Sequence, residues 1–270
     1  MSESTAQVNH LKDIKSLFAR LASSRQEYDF MPPAWVSHVE EYASQPDRLR
    51  NYARQVVSGR IMIFYALNRM NTQALLGTYL LGVDTANPFP MLLAARSQLE
   101  VLSVVADATR IIRENSGEHL ENFASRVRAV DEALITATFG TRSSLVKEWM
   151  SKIKLSRLRS VTKDDYGVLK SKNVLTRLER LSKSGLYPEC SKDYERLCDY
   201  VHPNYGMNML HVVASPIDAK LLRISLKSQE PFQRALSASA NVMARAAHGT
   251  ITTIDEIQPP FGMGTVSKLA

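Results

Sequence analysis

A chain of 270 residues, 44% apolar and 23% charged, can bury a sizeable core, and its composition is that of an ordinary soluble globular protein. Two cysteines, Cys190 and Cys198, and six scattered histidines leave neither a disulfide framework nor a pair at metal-ligand spacing, so no metal or other cofactor is expected. The net charge of +7 is local: residues 145–183 carry eleven Lys or Arg against four Asp or Glu, leaving 23 of each sign elsewhere.

The periodicity predicts a mainly α fold, a multi-helix bundle-like domain of about eight or nine helices with one small β-hairpin near residues 209–228. Val8, Leu11, Ile14, Leu17, Phe18 and Leu21 recur at helical spacing and place a first helix over residues 4–24. No basic stretch followed by an apolar run precedes it, so no signal peptide is expected and a cytoplasmic location is. Pro33 suits the first turn of a short helix ending near Ser44. Pro46 opens a longer one through Tyr52, Val56, Ile63 and Leu67, running towards Leu81, and residues 82–90 read as a turn.

The most apolar helix follows, over residues 91–113. Its polar residues Arg96, Glu100, Ser103, Asp107 and Arg110 fall within one arc of about 80°. These charges argue against a membrane span, and a helix apolar nearly all round is packed by neighbours on most sides. The stripe is either its one solvent edge or the lining of an internal cleft in which Arg96 and Glu100 pair one turn apart. Further helices are expected over 116–139, 143–159 and 164–182, with Gly185 closing the last. The basic cluster rides on the final two. Two short β-prone runs around residues 209–213 and 221–226, joined through Pro216, read as the hairpin. Pro231 opens a final helix to about His248, and residues 251–270 form an irregular tail. Residues 1–85 are expected to supply N-terminal helices that pack with a helical core, 86–250, as one globular unit.

The stretch DYERLCDYVHPNYGMNML, residues 193–210, concentrates the chemistry. On a helix, Tyr194, Leu197, Cys198 and Val201 share one apolar arc, Glu195, Asp199 and His202 flank it, and Arg196 points away. Pro203 disfavours helical geometry at His202, which puts the imidazole at the helix C-terminus beside unpaired carbonyls. No GxGxxG, P-loop, HExxH or GxSxG is present. What remains is a histidine to move a proton, an arginine to hold charge on a phosphate, and a basic segment with Lys152, Lys154, Arg157 and Arg159 to hold a polyanion. These suffice to cleave RNA, whose own 2′-hydroxyl is the nucleophile.

ARSQLE at residues 95–100, followed by DYERLCDYVHPNYGMN at residues 193–208, resembles a group of uncharacterised prokaryotic helical proteins. Their marks are an Arg-x-x-x-Glu helix and a Tyr-x-x-Leu-(Ser/Cys)-x-x-x-His-Pro motif. The spacing Arg196-x5-His202 is also similar to the R-x4–6-H motif of the HEPN superfamily, many of whose members are metal-independent endoribonucleases of toxin–antitoxin and antiphage systems. That resemblance implies Arg196 and His202 as catalytic residues facing each other across a homodimer cleft, and RNA, with a protein partner or antitoxin, as partners. Asp199, one turn before the histidine, is expected to orient it, with Glu100, Arg96 and Asn204 as further supporting residues. Leu197, where a polar residue is usual, and Pro203 after the histidine depart from the pattern. On an unbroken helix the two side chains project about 120° apart. Two other readings stay open. One is a non-catalytic helical interaction module in which Arg96, Glu100 and His202 form a buried structural network. The other is a pocket for a small phosphorylated ligand.

Overall fold

The computed structural model describes residues 3–24, 37–116, 122–139, 173–202, 210, 212–218, 220–224 and 229–257. Among them are nine α-helices and one hairpin, the mainly α architecture that the periodicity predicts. In chain order they are α1 (Glu3–Ala22), α2 (Val39–Tyr42), α3 (Pro46–Tyr52), α4 (Ser58–Asp84), α5 (Pro88–Asn115), α6 (Phe123–Phe139), α7 (Val174–Lys183), α8 (Cys190–Val201), β1 (Val212–Ala214), β2 (Leu222–Ile224) and α9 (Glu230–Asp255). One π-helical stretch, Ala53–Val57, joins α3 to α4 without a loop.

The chain divides into two compact units, each assembled from three separate stretches. The first comprises Met1–Ser24, Arg69–Ser103 and Leu178–Thr252. Ile14, Leu76, Leu92, Leu99, Leu102, Leu197, Val242 and Met243 are among its buried residues. Two polar ties cross this apolar interior. Buried Gln98 of α5 donates through Nε2 to Thr72 Oγ1 of α4 at 3.2 Å and to Thr250 Oγ1 of α9 at 3.1 Å. The hydroxyls of Tyr79 and Ser239 lie 3.1 Å apart. The strands pair antiparallel, Val212 opposite Ile224, and Arg234 of α9 donates to the Val212 carbonyl at 3.0 Å. The hairpin therefore rests on the helix that follows it.

The second unit comprises Arg25–Asn68, Val104–Arg177 and Thr253–Ala270. Phe64, Val105, Ile112, Val127, Val130, Leu134 and Ile135 are buried in it, as is an ion pair between Arg60 of α4 and Asp131 of α6. The Tyr52 hydroxyl donates to the other Asp131 oxygen at 2.5 Å and accepts the backbone N–H of His38 at 3.2 Å. A tyrosine and an arginine thus share one buried carboxylate, and a backbone amide in turn holds the tyrosine, as burial of a charge requires. Burial, then the charge of Asp131, push the Tyr52 phenol well above its ordinary value.

Two helix limits differ from expectation, each for a local physical reason. Asn173 is not helical; its Oδ1 accepts the N–H of Leu175 at 3.1 Å and caps α7, so no helix runs unbroken over residues 164–182. The last helix does not stop at His248 but continues through Gly249 to Asp255, so residues 251–255 are helix and not tail. A Cβ on Gly249 would sit 3.4 Å from Leu102 Cδ1, so the glycine there serves close packing against α5. Gly185 does close α7, in the left-handed conformation at φ +79°.

By length and composition alone α5 could cross a membrane, the one such helix among the described residues. Half of its most apolar window is buried within the protein.

Candidate functional site

Tyr187 and Pro188 lead into α8, and Cys190, Tyr194 and Leu197 bury its inner face. Glu195, Arg196, Asp199 and His202 lie on the exposed side, as the projection predicts. The helix ends at Val201 because Pro203 pushes its predecessor out of helical geometry: His202 has φ −80° and ψ 147°. Its N–H still bonds the Cys198 carbonyl at 3.0 Å, while the imidazole is exposed and has no hydrogen-bond partner among the described residues.

Arg96 and Glu100 of α5 meet α8 at Tyr194. The Tyr194 hydroxyl donates to Glu100 Oε1 at 2.8 Å and accepts from Arg96 Nη2 at 3.0 Å. Arg96 lies 3.4 Å from Glu100 and places its guanidinium carbon 5.3 Å from the Tyr194 ring centroid. Three side chains thus close a loop of contacts, with Cys198 beside Arg96 as a further weak acceptor. Burial raises the Tyr194 phenol to about 12; the Arg96 bond opposes the shift and the Glu100 bond adds to it. Burial is the largest single effect on Arg96 and opposes its ionisation, but Tyr194 and Cys198 together more than offset it and the guanidinium stays charged.

This cluster corrects one expectation. Arg96 and Glu100 do pair with each other and with α8, but their side chains remain 23% and 39% exposed, and no contact links them to His202. A sealed Arg–Glu–His network is therefore not what holds these helices. Glu100→Ala removes a screened ion pair and one hydrogen bond, which is expected to cost about 1 kcal/mol in urea unfolding. A loss several times larger would mean that the cluster is closed to water.

Arg196 is 49% exposed but is not idle. Its Nη2 donates to Asp193 Oδ1 at 2.8 Å and to the Ala238 carbonyl of α9 at 3.1 Å. The structure brings Arg96 and Glu100 together; it places Arg196 and Asp199 on α8 and His202 just past its end, with no hydrogen bond or ion pair among their side chains. Asn204, Lys152, Lys154, Arg157 and Arg159 lie outside the described residues, as does the helix expected over 143–159.

Tyr194, which opens the Tyr-x-x-Leu motif with no role assigned to it, and Asp193, just outside that motif, are the residues not counted as functional from the sequence. Tyr194 was legible only as a core position; the signal for more was a tyrosine on an apolar arc, because a buried phenol seeks a partner. Asp193 accepts from Arg196 and, through Oδ2, from the Tyr187 hydroxyl at 2.8 Å. Among the described residues no three His, Cys, Asp or Glu side chains gather as a metal site. No protein-family model matches the chain, and no curated protein or solved structure is significantly similar to it.

Proposed function

We propose that the chain is a HEPN-like helical protein that binds or cleaves RNA without a metal, in a prokaryotic defence or stress system. The observation that carries the reading is the end of α8, where the His202 imidazole stands exposed and unengaged among the described residues, six positions after an exposed arginine. In the proposed reaction His202 takes the proton of a ribose 2′-hydroxyl, whose oxygen attacks the adjacent phosphorus. The P–O5′ bond breaks, leaving a 2′,3′-cyclic phosphate, and the departing 5′-oxygen is protonated. Arg196 steadies the added charge on the phosphate through the donors that Asp193 and Ala238 leave unused. Because no hydrogen bond or shared partner joins the two side chains within one chain, the reading calls for a second subunit to supply one of them. The local charge of residues 145–183 supports a polyanionic partner, with Lys152, Lys154, Arg157 and Arg159 as its contacts.

A second reading, a non-catalytic interaction module, is favoured by a different observation. Arg96, Tyr194 and Arg196 all spend hydrogen bonds on tying α8 to α5 and α9.

Single-stranded RNA incubated with the parent, His202→Ala and Arg196→Ala in excess EDTA separates the two. The catalytic reading expects cyclic phosphate ends from the parent, persistence in EDTA, and loss in both variants at unchanged Tm. No cleavage and no RNA affinity in the parent would leave the interaction module.

A further inference from the structure

Two half-exposed arginines in the first unit are braced from one buried link. Tyr187 is buried, and its hydroxyl donates to Asp193 Oδ2 at 2.8 Å. The other oxygen of that carboxylate accepts from Arg196 Nη2. At the ring end of the link, Arg245 of α9 lies with its guanidinium carbon 4.1 Å from the Tyr187 centroid, and its Nη2 is 3.2 Å from Glu189 Oε2. Arg245 is 42% exposed. In both arginines the contacts to acceptors are made by Nη2, while Nη1 and Nε have no hydrogen-bond partner among the described residues.

Stability does not account for this arrangement. An exposed arginine paired with an exposed glutamate adds little, and a stack at a half-open site adds little more. What the bracing does accomplish is orientation. A long side chain that would lose its rotamer freedom on meeting a ligand is already held, with N–H donors on Nη1 and Nε left over. Each can give a phosphate oxygen a charge-assisted hydrogen bond.

We propose that Arg245 and Arg196 form a two-guanidinium seat for phosphodiester groups of one RNA strand. The proposal rests on the RNA reading and adds to it a residue that no motif marks. The seat is not a diffuse basic patch. Glu189 and Asp193 each claim one nitrogen, and Glu195 and Asp199 on α8 offset exposed Lys192. Binding there depends on aimed donors more than on net charge, so Glu189 competes with the ligand for Arg245.

The test is fluorescence anisotropy of a short labelled single-stranded RNA with the full chain across a salt series. Arg245→Gln is expected to weaken binding about tenfold, the loss of one charge-assisted contact. It should also flatten the slope of log affinity against log salt by about 0.7. Arg245→Lys should lie between, having the charge without the aimed guanidinium donors. Glu189→Gln should bind tighter than the parent, a gain that a merely damaged protein would not show. If the parent binds RNA and neither Arg245→Gln nor Glu189→Gln changes affinity or slope, the seat is refuted while the RNA reading stands. If the parent has no measurable affinity for RNA, both fall.

Discussion

Asp131→Ala is expected to lower the unfolding free energy by about 3–5 kcal/mol, among the largest losses a single substitution here can produce. The carboxylate is fully buried, faces the Arg60 guanidinium of another helix and receives the Tyr52 hydroxyl. Removing it takes a carboxylate partner from a buried cation and the acceptor from a buried phenol, and neither group can turn to water without opening the core. The expected rescue distinguishes this from a simple cavity. Arg60→Met combined with Asp131→Leu deletes both charges together and should recover most of the loss, because the pair repays little beyond its own desolvation. Urea unfolding of the parent, the single variant and the double variant measures this directly. A single variant within about 1 kcal/mol of the parent would show that water reaches the pair.

Two glycines of α4 should respond to alanine in opposite directions. Helix propensity alone favours alanine at both by up to about 1 kcal/mol. A Cβ at Gly59 would meet nothing within 4 Å, so propensity decides and Gly59→Ala should stabilise by about 0.5–1 kcal/mol. At Gly82 the same atom would lie 2.7 Å from Met91 Cγ, 3.0 Å from the Asn87 carbonyl oxygen and 3.1 Å from the Met91 nitrogen. The side chain could swing aside, though Met91 is fully buried; the two backbone atoms cannot. Crowding therefore wins, and Gly82→Ala should cost about 1–3 kcal/mol. Thermal melts of the two variants with opposite signs bear this out, and a stabilising Gly82→Ala would show that the turn after α4 can relax.

The helices were legible because their apolar residues recur every three or four positions, a signal that each segment carries by itself. The end of α8 was legible for a sharper reason, since Pro203 dictates the conformation of its neighbour whatever surrounds it. Partners distant in the chain were not. Arg60 and Asp131 lie 71 positions apart, and nothing in the local pattern of either tells which opposite charge it will meet. The same holds for Arg96 with Tyr194, and for Arg245 on the ring of Tyr187. Gln98 left a visible trace, a polar residue on the apolar side of α5, but its partners on α4 and α9 could be found only in three dimensions. The last helix runs past its expected end at His248, through Gly249, whose missing side chain makes room for Leu102.

The assembly of the first unit from three distant stretches has a consequence for the order in which the protein can be made. Gln7 of α1 donates to Ser237 of α9 at 2.5 Å, across 230 positions of chain. At a ribosomal rate of about 5–20 residues per second, α1 waits roughly 12–46 s for that partner to be synthesised. During the wait the apolar face of Ile14, Leu17 and Leu21 has only earlier-made helices to cover it. Truncation before α9 would therefore strand the N-terminal helix with that face incompletely covered, and nascent chains stalled there should be the ones that holdase chaperones retain.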